Sequence, residues 1–184
     1  MPDRTMDEIL TSLGEDLIVE FDSIARAAHD LFRSYSPEVL IELDPRAQAA
    51  CTYAHMLAEA YRRFDGRAGV HTFDVRNLKV WHFEAADVVI RFKKMDEDGK
   101  TRNYPTKQAK DFDGQLELPG LPSPPVRLTA GYLLDATGAQ MVRSQISMPQ
   151  GREVQWCVAV VPEVTRAEAD RVWVDVTRQA RAAF

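Results

Sequence analysis

The feature that most constrains this chain is a change in its hydrophobic period. Over the first third, apolar residues return every three to four positions. From about residue 78 onward they alternate, or gather in short β-branched and aromatic runs. Helix-period and strand-period sequence that is segregated in this way predicts an α+β fold rather than alternating α/β units. Thr5 and Glu8 have the spacing of a capping box. Behind them Ile9, Leu10, Leu13, Leu17, Ile18, Phe21, Ile24, Ala25, Ala28, Leu31 and Phe32 predict an amphipathic helix over 6–33, with Gly14 as the place for a bend. Residues 36–43 form a short element whose run Val39-Leu40-Ile41 fits helix or strand equally. Asp44-Pro45 then combines an N-cap with proline at the first helical position. The helix it starts is expected to reach about Phe64, with Ala50, Ala54, Leu57, Ala58 and Tyr61 inward and Asp65-Gly66 as its stop.

Leu78–Phe83 and Val88–Phe92 read as strands. Asp98-Gly99 is a hairpin signal and predicts a ribbon of 87–95 with 100–104. Residues 113–125 hold four prolines and two glycines and read as an irregular surface segment. Three strands follow, over 126–135, 139–148 and 153–161, joined by short turns that imply an antiparallel meander. Val126, Leu128 and Ala130 should face the core together with one parity of 153–161. Gly131 marks a bulge or a close approach of another backbone. Thr165 and Glu168 suggest a second capping box. The stripe Val172, Trp173, Val176 and Ala180 then predicts a closing helix. The reading is thus one α+β domain over 1–184: a helical pair (1–66) on an antiparallel sheet of about five strands (67–164), closed by a C-terminal helix (165–184).

Composition narrows the function classes. A 45% hydrophobic and 28% charged chain is an ordinary globule. Its net charge of -5 supplies no global field for nucleic acid or anionic lipid. There is neither a signal-like N-terminus nor a membrane-length apolar run, so a cytoplasmic protein without membrane contact is expected. Cys51 and Cys157 lie far apart, outside any CxxC pair, and read as buried apolar thiols. No Walker loop, dinucleotide glycine fingerprint, nucleophile elbow or HExxH occurs, so no catalytic residue, metal or cofactor is assigned. His55 and Glu59, four apart on a helix, have metal-ligand spacing but read as a surface pair. His71 and Asp74 form a weaker pair of the same kind. His82, between Trp81 and Phe83, should point to the opposite face from both. Glu84 and Asp87 with Lys93 and Lys94 sketch a magnesium-nuclease pattern, yet Arg91 stands where its second acid belongs.

Two segments suggest partners. Gln115-Leu116-Glu117-Leu118-Pro119 resembles the short peptide with which bacterial replication and repair proteins dock on the DNA sliding clamp. The resemblance covers five residues. It implies an exposed Gln115 in a polar pocket and Leu116 and Leu118 as apolar anchors, although Pro119 replaces the usual apolar residue after the second leucine. The leading expectation is therefore a non-enzymatic effector or regulatory domain that acts by macromolecular binding. The alternative is a nucleic-acid-binding protein or nuclease. It would use a basic ribbon over 91–110, in which Arg91 and Lys93 share a face of one strand and Lys100 and Arg102 a face of the returning strand, with Lys107 as a further basic candidate. A third expectation is self-association through the N-terminal helices.

Overall fold

The computed structural model describes residues 4–75, 77–101, 106–116, 120 and 125–178. The Thr5 hydroxyl accepts from the Glu8 amide while the Glu8 carboxylate accepts from the Thr5 amide, so the capping box forms and starts α1 (Met6–Leu13). Gly14, at φ +83, ends it and leads into α2 (Glu15–Arg33). The expected bend is a break, which the missing Cβ permits. Ser36 caps α3 (Pro37–Glu42), which settles the ambiguous segment as helix. Asp44 accepts from the Ala47 amide at 2.7 Å and opens α4 (Pro45–Phe64).

The strands are β1 (Val70–Val75), β2 (Leu78–Phe83), β3 (Val88–Lys94), β4 (Val126–Leu134), β5 (Met141–Gln150), β6 (Glu153–Val160) and β7 (Trp173–Asp175). They form one sheet in sequence order. All neighbours are antiparallel except β3 and β4, which pair in parallel. A parallel pair needs a crossover rather than a hairpin. The crossover here carries α5 (Lys107–Asp113), which the sequence reading took as part of the ribbon and its irregular sequel.

Helices α1, α2 and α4 cover one face, and α5 packs on the other with Phe112 beside Val80 and Val89. Ile18, Phe21, Ile24, Ala25 and Ala28 of α2 bury against Phe83, Phe92, Tyr132 and Ile146 of the sheet. Phe21 meets Phe64, Phe83 and Phe92 edge-on at centroid distances of 6.2, 5.6 and 5.9 Å. Burial of each such side chain is worth about 1.5–3 kcal/mol, so this layer dominates stability. Leu128 and Ala130 join it as the alternation predicts, with Trp156, Val158 and Val160 supplying the expected parity of β6.

Several expectations are corrected. Among the described residues the sheet has seven strands, not about five, because β1 and β7 were not foreseen. On α4 the buried positions are Thr52, Met56, Ala60 and Phe64, whereas Ala50, Ala54 and Ala58 are exposed. Within the described part of 165–184, the closing helix is replaced. A single turn, α6 (Glu163–Arg166), precedes β7. The outer edge of β6 was open, and Val172-Trp173-Val174 fills it, with Val161 N donating to Val172 O at 2.8 Å and Val176 N to Cys157 O at 2.9 Å. Pairing along a free edge outweighs the local helical spacing. Ala180 lies outside the described residues.

Candidate functional site

A wide cleft lies where the start of α4 passes over the ends of β3 and β4. It encloses about 780 Å³, a size typical of small-molecule sites. Its helix side is Arg46, Ala49, Ala50 and Tyr53, and its sheet side includes Lys93, Met95, Leu133 and Leu134. Two local features open it. The pairing of β2 with β3 ends at Trp81 and Ile90, so Arg91–Lys94 run on beside β4 without that neighbour. At the other side, Gly131 faces Lys93 so closely that a Cβ would lie 2.8 Å from the Lys93 carbonyl carbon. The close approach read from Gly131 is therefore real, and it fixes the Lys93 backbone against β4.

Lys93 extends from this point with its Nζ 4.0 Å from the centroid of the Tyr53 ring. A cation over an aromatic face is stabilised electrostatically, though less than by a carboxylate. Among the described residues the ammonium has no hydrogen bond and no ion pair. Burial first, and then the Arg91 guanidinium, push its pKa down to about 8. Burial likewise raises the Tyr53 phenol. The two carboxylates on the cleft wall serve their own turns. Asp135 accepts from the Thr137 hydroxyl and from the amides of Ala139 and Gln140. Asp96 accepts from the amides of Asp98 and Lys100.

The four described residues of the proposed basic ribbon, Arg91, Lys93, Lys100 and Lys107, do not form a shared basic face. Arg91 is only 2% exposed. Its guanidinium donates to the Thr129 hydroxyl at 2.9 Å and to Asp113 at 2.5 Å, above the Phe112 ring. Burial lowers its pKa and raises that of Asp113, the mark of an ion pair kept largely from water. Lys93 lies in the cleft. Lys100 pairs with Glu153 at 2.6 Å, and Lys107 pairs with Asp111 at 2.7 Å. Arg102 lies outside the described residues. The Asp98-Gly99 turn forms, but the chain folds back onto the sheet instead of projecting. A Cβ on Gly99 would meet Cys157 Sγ at 2.8 Å.

Gln115 is bound into the fold. At φ +55 it directs its amide between two strands. Nε2 donates to Arg127 O at 2.8 Å and to Pro149 O at 2.9 Å, while Oε1 accepts from Arg127 N at 2.9 Å. Leu116 is 56% exposed, and Leu118 lies outside the described residues.

The other candidates are engaged singly. His55 contacts the Tyr35 hydroxyl at 2.7 Å, while Glu59 pairs with Arg62 and Arg63. His71 pairs with Glu84, and His82 with Asp87. Asp74 pairs with Lys79. Glu84 and Asp87 stand at the start of β3 and Lys93 near its end, roughly 20 Å apart at the rise of a strand. Cys157 is buried, with its thiol pushed up to about 12, whereas Cys51 is half-exposed. No three His, Cys, Asp or Glu side chains among the described residues gather as a metal cage. No helix among them is long and apolar enough to cross a membrane. On the N-terminal helices, the apolar stripe of α2 is spent on the sheet, and Leu31, Val39 and Ile41 remain exposed.

Of the cleft residues, the sequence reading singled out Lys93 for a different role and missed Tyr53, Leu133 and Leu134. The available signal was Gly131, whose close approach ties β4 to the lysine. Comparison with protein-family models, curated proteins and solved structures finds no match to this chain.

Proposed function

We propose that this protein is a non-enzymatic regulatory domain that acts by binding, and that the cleft between α4 and the β3–β4 pair is where it binds. The observation that carries this reading is the make-up of the cleft. Ala49, Ala50, Leu133 and Leu134 and the Tyr53 ring adjoin the half-buried Lys93 ammonium, which has no counter-ion among the described residues, while Arg46, Lys94, Asp96 and Asp135 complete the lining. That combination suits recognition: apolar area gives affinity and a single charge gives orientation. His71, His82 and Asp113 are each held in an ion pair, and Cys157 is buried elsewhere in the fold.

The test is an NMR titration of the full chain with a mixed fragment set. Perturbed amides should concentrate on Ala49, Ala50, Leu133 and Leu134, and Ala50→Trp, at an exposed helix position, should abolish them without lowering Tm. Perturbations scattered over the surface refute the reading.

The exposed side chain of Leu116 favours a second reading, docking of 115–119 on a bacterial sliding clamp. Gln115 would then have to release three hydrogen bonds to backbone groups. Each exchange costs about 1 kcal/mol if the freed groups meet water and more if they do not. Immobilised clamp that retains the native chain, but not Leu116→Ala, supports this second reading; absence of retention removes it. Nucleic-acid contact through 91–110 draws no support from Arg91, Lys100 and Lys107, whose charges are already paired.

A further inference from the structure

We propose that the occupant of the α4–β3–β4 cleft is a small amphipathic carboxylate, its anionic head on the Lys93 ammonium and its apolar body along Ala49, Ala50, Leu133 and Leu134. The inference rests on the cleft being the binding site, and it adds the charge and chemical class of what binds there.

Charge complementarity is the first argument. Lys93 is half-buried, and its one contact as a cation among the described residues is the Tyr53 ring. A cation taken partly out of water without a counter-ion costs free energy that an anion can return. The nearby carboxylates do not return it, because Asp96 and Asp135 accept hydrogen bonds within their own loops. At neutral pH the ammonium keeps most of its proton, since burial brings its pKa only to about 8. Arg46 and Lys94, both exposed on the rim, add positive potential without competing for the interior position.

The second argument separates a carboxylate from a phosphate. Phosphate sites present several donors together, such as backbone amides in a turn or paired guanidinium groups. Here Arg46 and Lys94 stand exposed on the rim, and of the three cations that line the cleft only the Lys93 ammonium is half-buried beside the apolar wall, which matches a monoanionic head on a hydrocarbon or aromatic body. The volume of about 780 Å³ sets the scale of a small molecule.

The experiment titrates the full chain with sodium octanoate and, separately, with 1-octanol, which has the same tail and no charge. Binding is followed at the amides of Ala49, Ala50, Leu133 and Leu134. Octanoate should bind at least tenfold more tightly than octanol. Lys93→Met, which keeps an unbranched apolar stem, should erase that preference and leave octanol binding intact, and Lys93→Arg should restore it. Equal binding of the two probes, or a preference that survives Lys93→Met, overturns the carboxylate assignment while leaving the cleft as a binding site. Binding of neither probe at these amides overturns both.

Discussion

Gly131→Ala tests how tightly β3 and β4 are joined beside the cleft. In the native sheet Gly131 is the register partner of Lys93. A Cβ built there would lie 2.8 Å from the Lys93 carbonyl carbon, 3.2 Å from its nitrogen, and nearer still to its carbonyl oxygen, where real Cβ atoms essentially never come within 3.0 Å. The obstacle is backbone, so no rotamer change relieves it. The Lys93 carbonyl must retreat by about 1 Å, enough to break the local N–H···O bonds of a parallel ladder. Overpacking of a rigid core costs about 1–3 kcal/mol. Loss of two ladder bonds at about 1 kcal/mol each brings the expected total to about 3–5 kcal/mol. For a chain of this length, with a urea m-value of about 2 kcal/mol/M, the midpoint should fall by about 1.5–2.5 M. Gly138→Ala is the control. Gly138 has φ +74 and nothing within 4 Å of a built Cβ, so only the left-handed backbone penalty of about 1–2 kcal/mol applies. Equilibrium urea unfolding followed by tryptophan fluorescence measures both. A Gly131→Ala midpoint within about 0.3 M of native, or no lower than that of Gly138→Ala, refutes the close-approach argument and the rigid placement of Lys93.

Three further outcomes follow from the same geometry. Because the folded-state pKa of Lys93 is depressed to about 8, the folded protein loses this proton first as pH rises. Its destabilisation is thus complete below pH 8 and relieved between there and the unfolded value near 10.4. Lys93→Met should exceed native stability by about 1–3 kcal/mol at pH 7, the low end reflecting residual solvent contact, and the gap should close by about pH 10.5. Parallel stabilities of the two proteins across that window would sink the assignment. Gln115→Ala should cost about 2–4 kcal/mol in urea unfolding, since three backbone groups lose their partner, whereas Leu116→Ala should stay within about 0.5 kcal/mol; a neutral Gln115→Ala would return that residue to a docking role. Asp113→Asn leaves the buried Arg91 guanidinium without its carboxylate and should cost about 3–5 kcal/mol, with a loss under 1 kcal/mol showing the pair to be solvated.

Local chemistry explains which elements were legible. The Thr5–Glu8 box, the Asp44-Pro45 start and the break at Gly14 are each decided within a few residues. The meander of β4, β5 and β6 was readable for the same reason, because short turns leave antiparallel neighbours little choice. Elements decided by distant partners were misread. Val172 and Trp173 carry a spacing that suits a helix, and only the vacant edge of β6 makes them a strand. The buried stripe of α4 follows Thr52, Met56, Ala60 and Phe64. It includes a threonine that binds the Gln48 carbonyl, which hydrophobicity alone would place outside.

The candidate site shows the same division more sharply. Alternation along β3 correctly sends Ile90 and Phe92 to the helical face, and it suggests that Arg91 and Lys93 share a solvated one. The fold covers the back of the sheet with α5 and with the loop that returns through Gly99, so Arg91 is buried and finds Asp113 from the crossover. Two residues further on, β3 has lost β2 as a neighbour and gained the start of α4, and Lys93 meets an aromatic ring instead of a carboxylate. One strand thus carries two cations with opposite fates. A cation with a carboxylate is a structural tie and has nothing left to offer a ligand. A cation held partly dry without one is an unfavourable arrangement that folding alone does not require, and a bound anion relieves it. The sequence lists both as basic residues. Only the placement of Asp113 beside the first, and of Asp96 and Asp135 within their own turns, separates the tie from the proposed binding group.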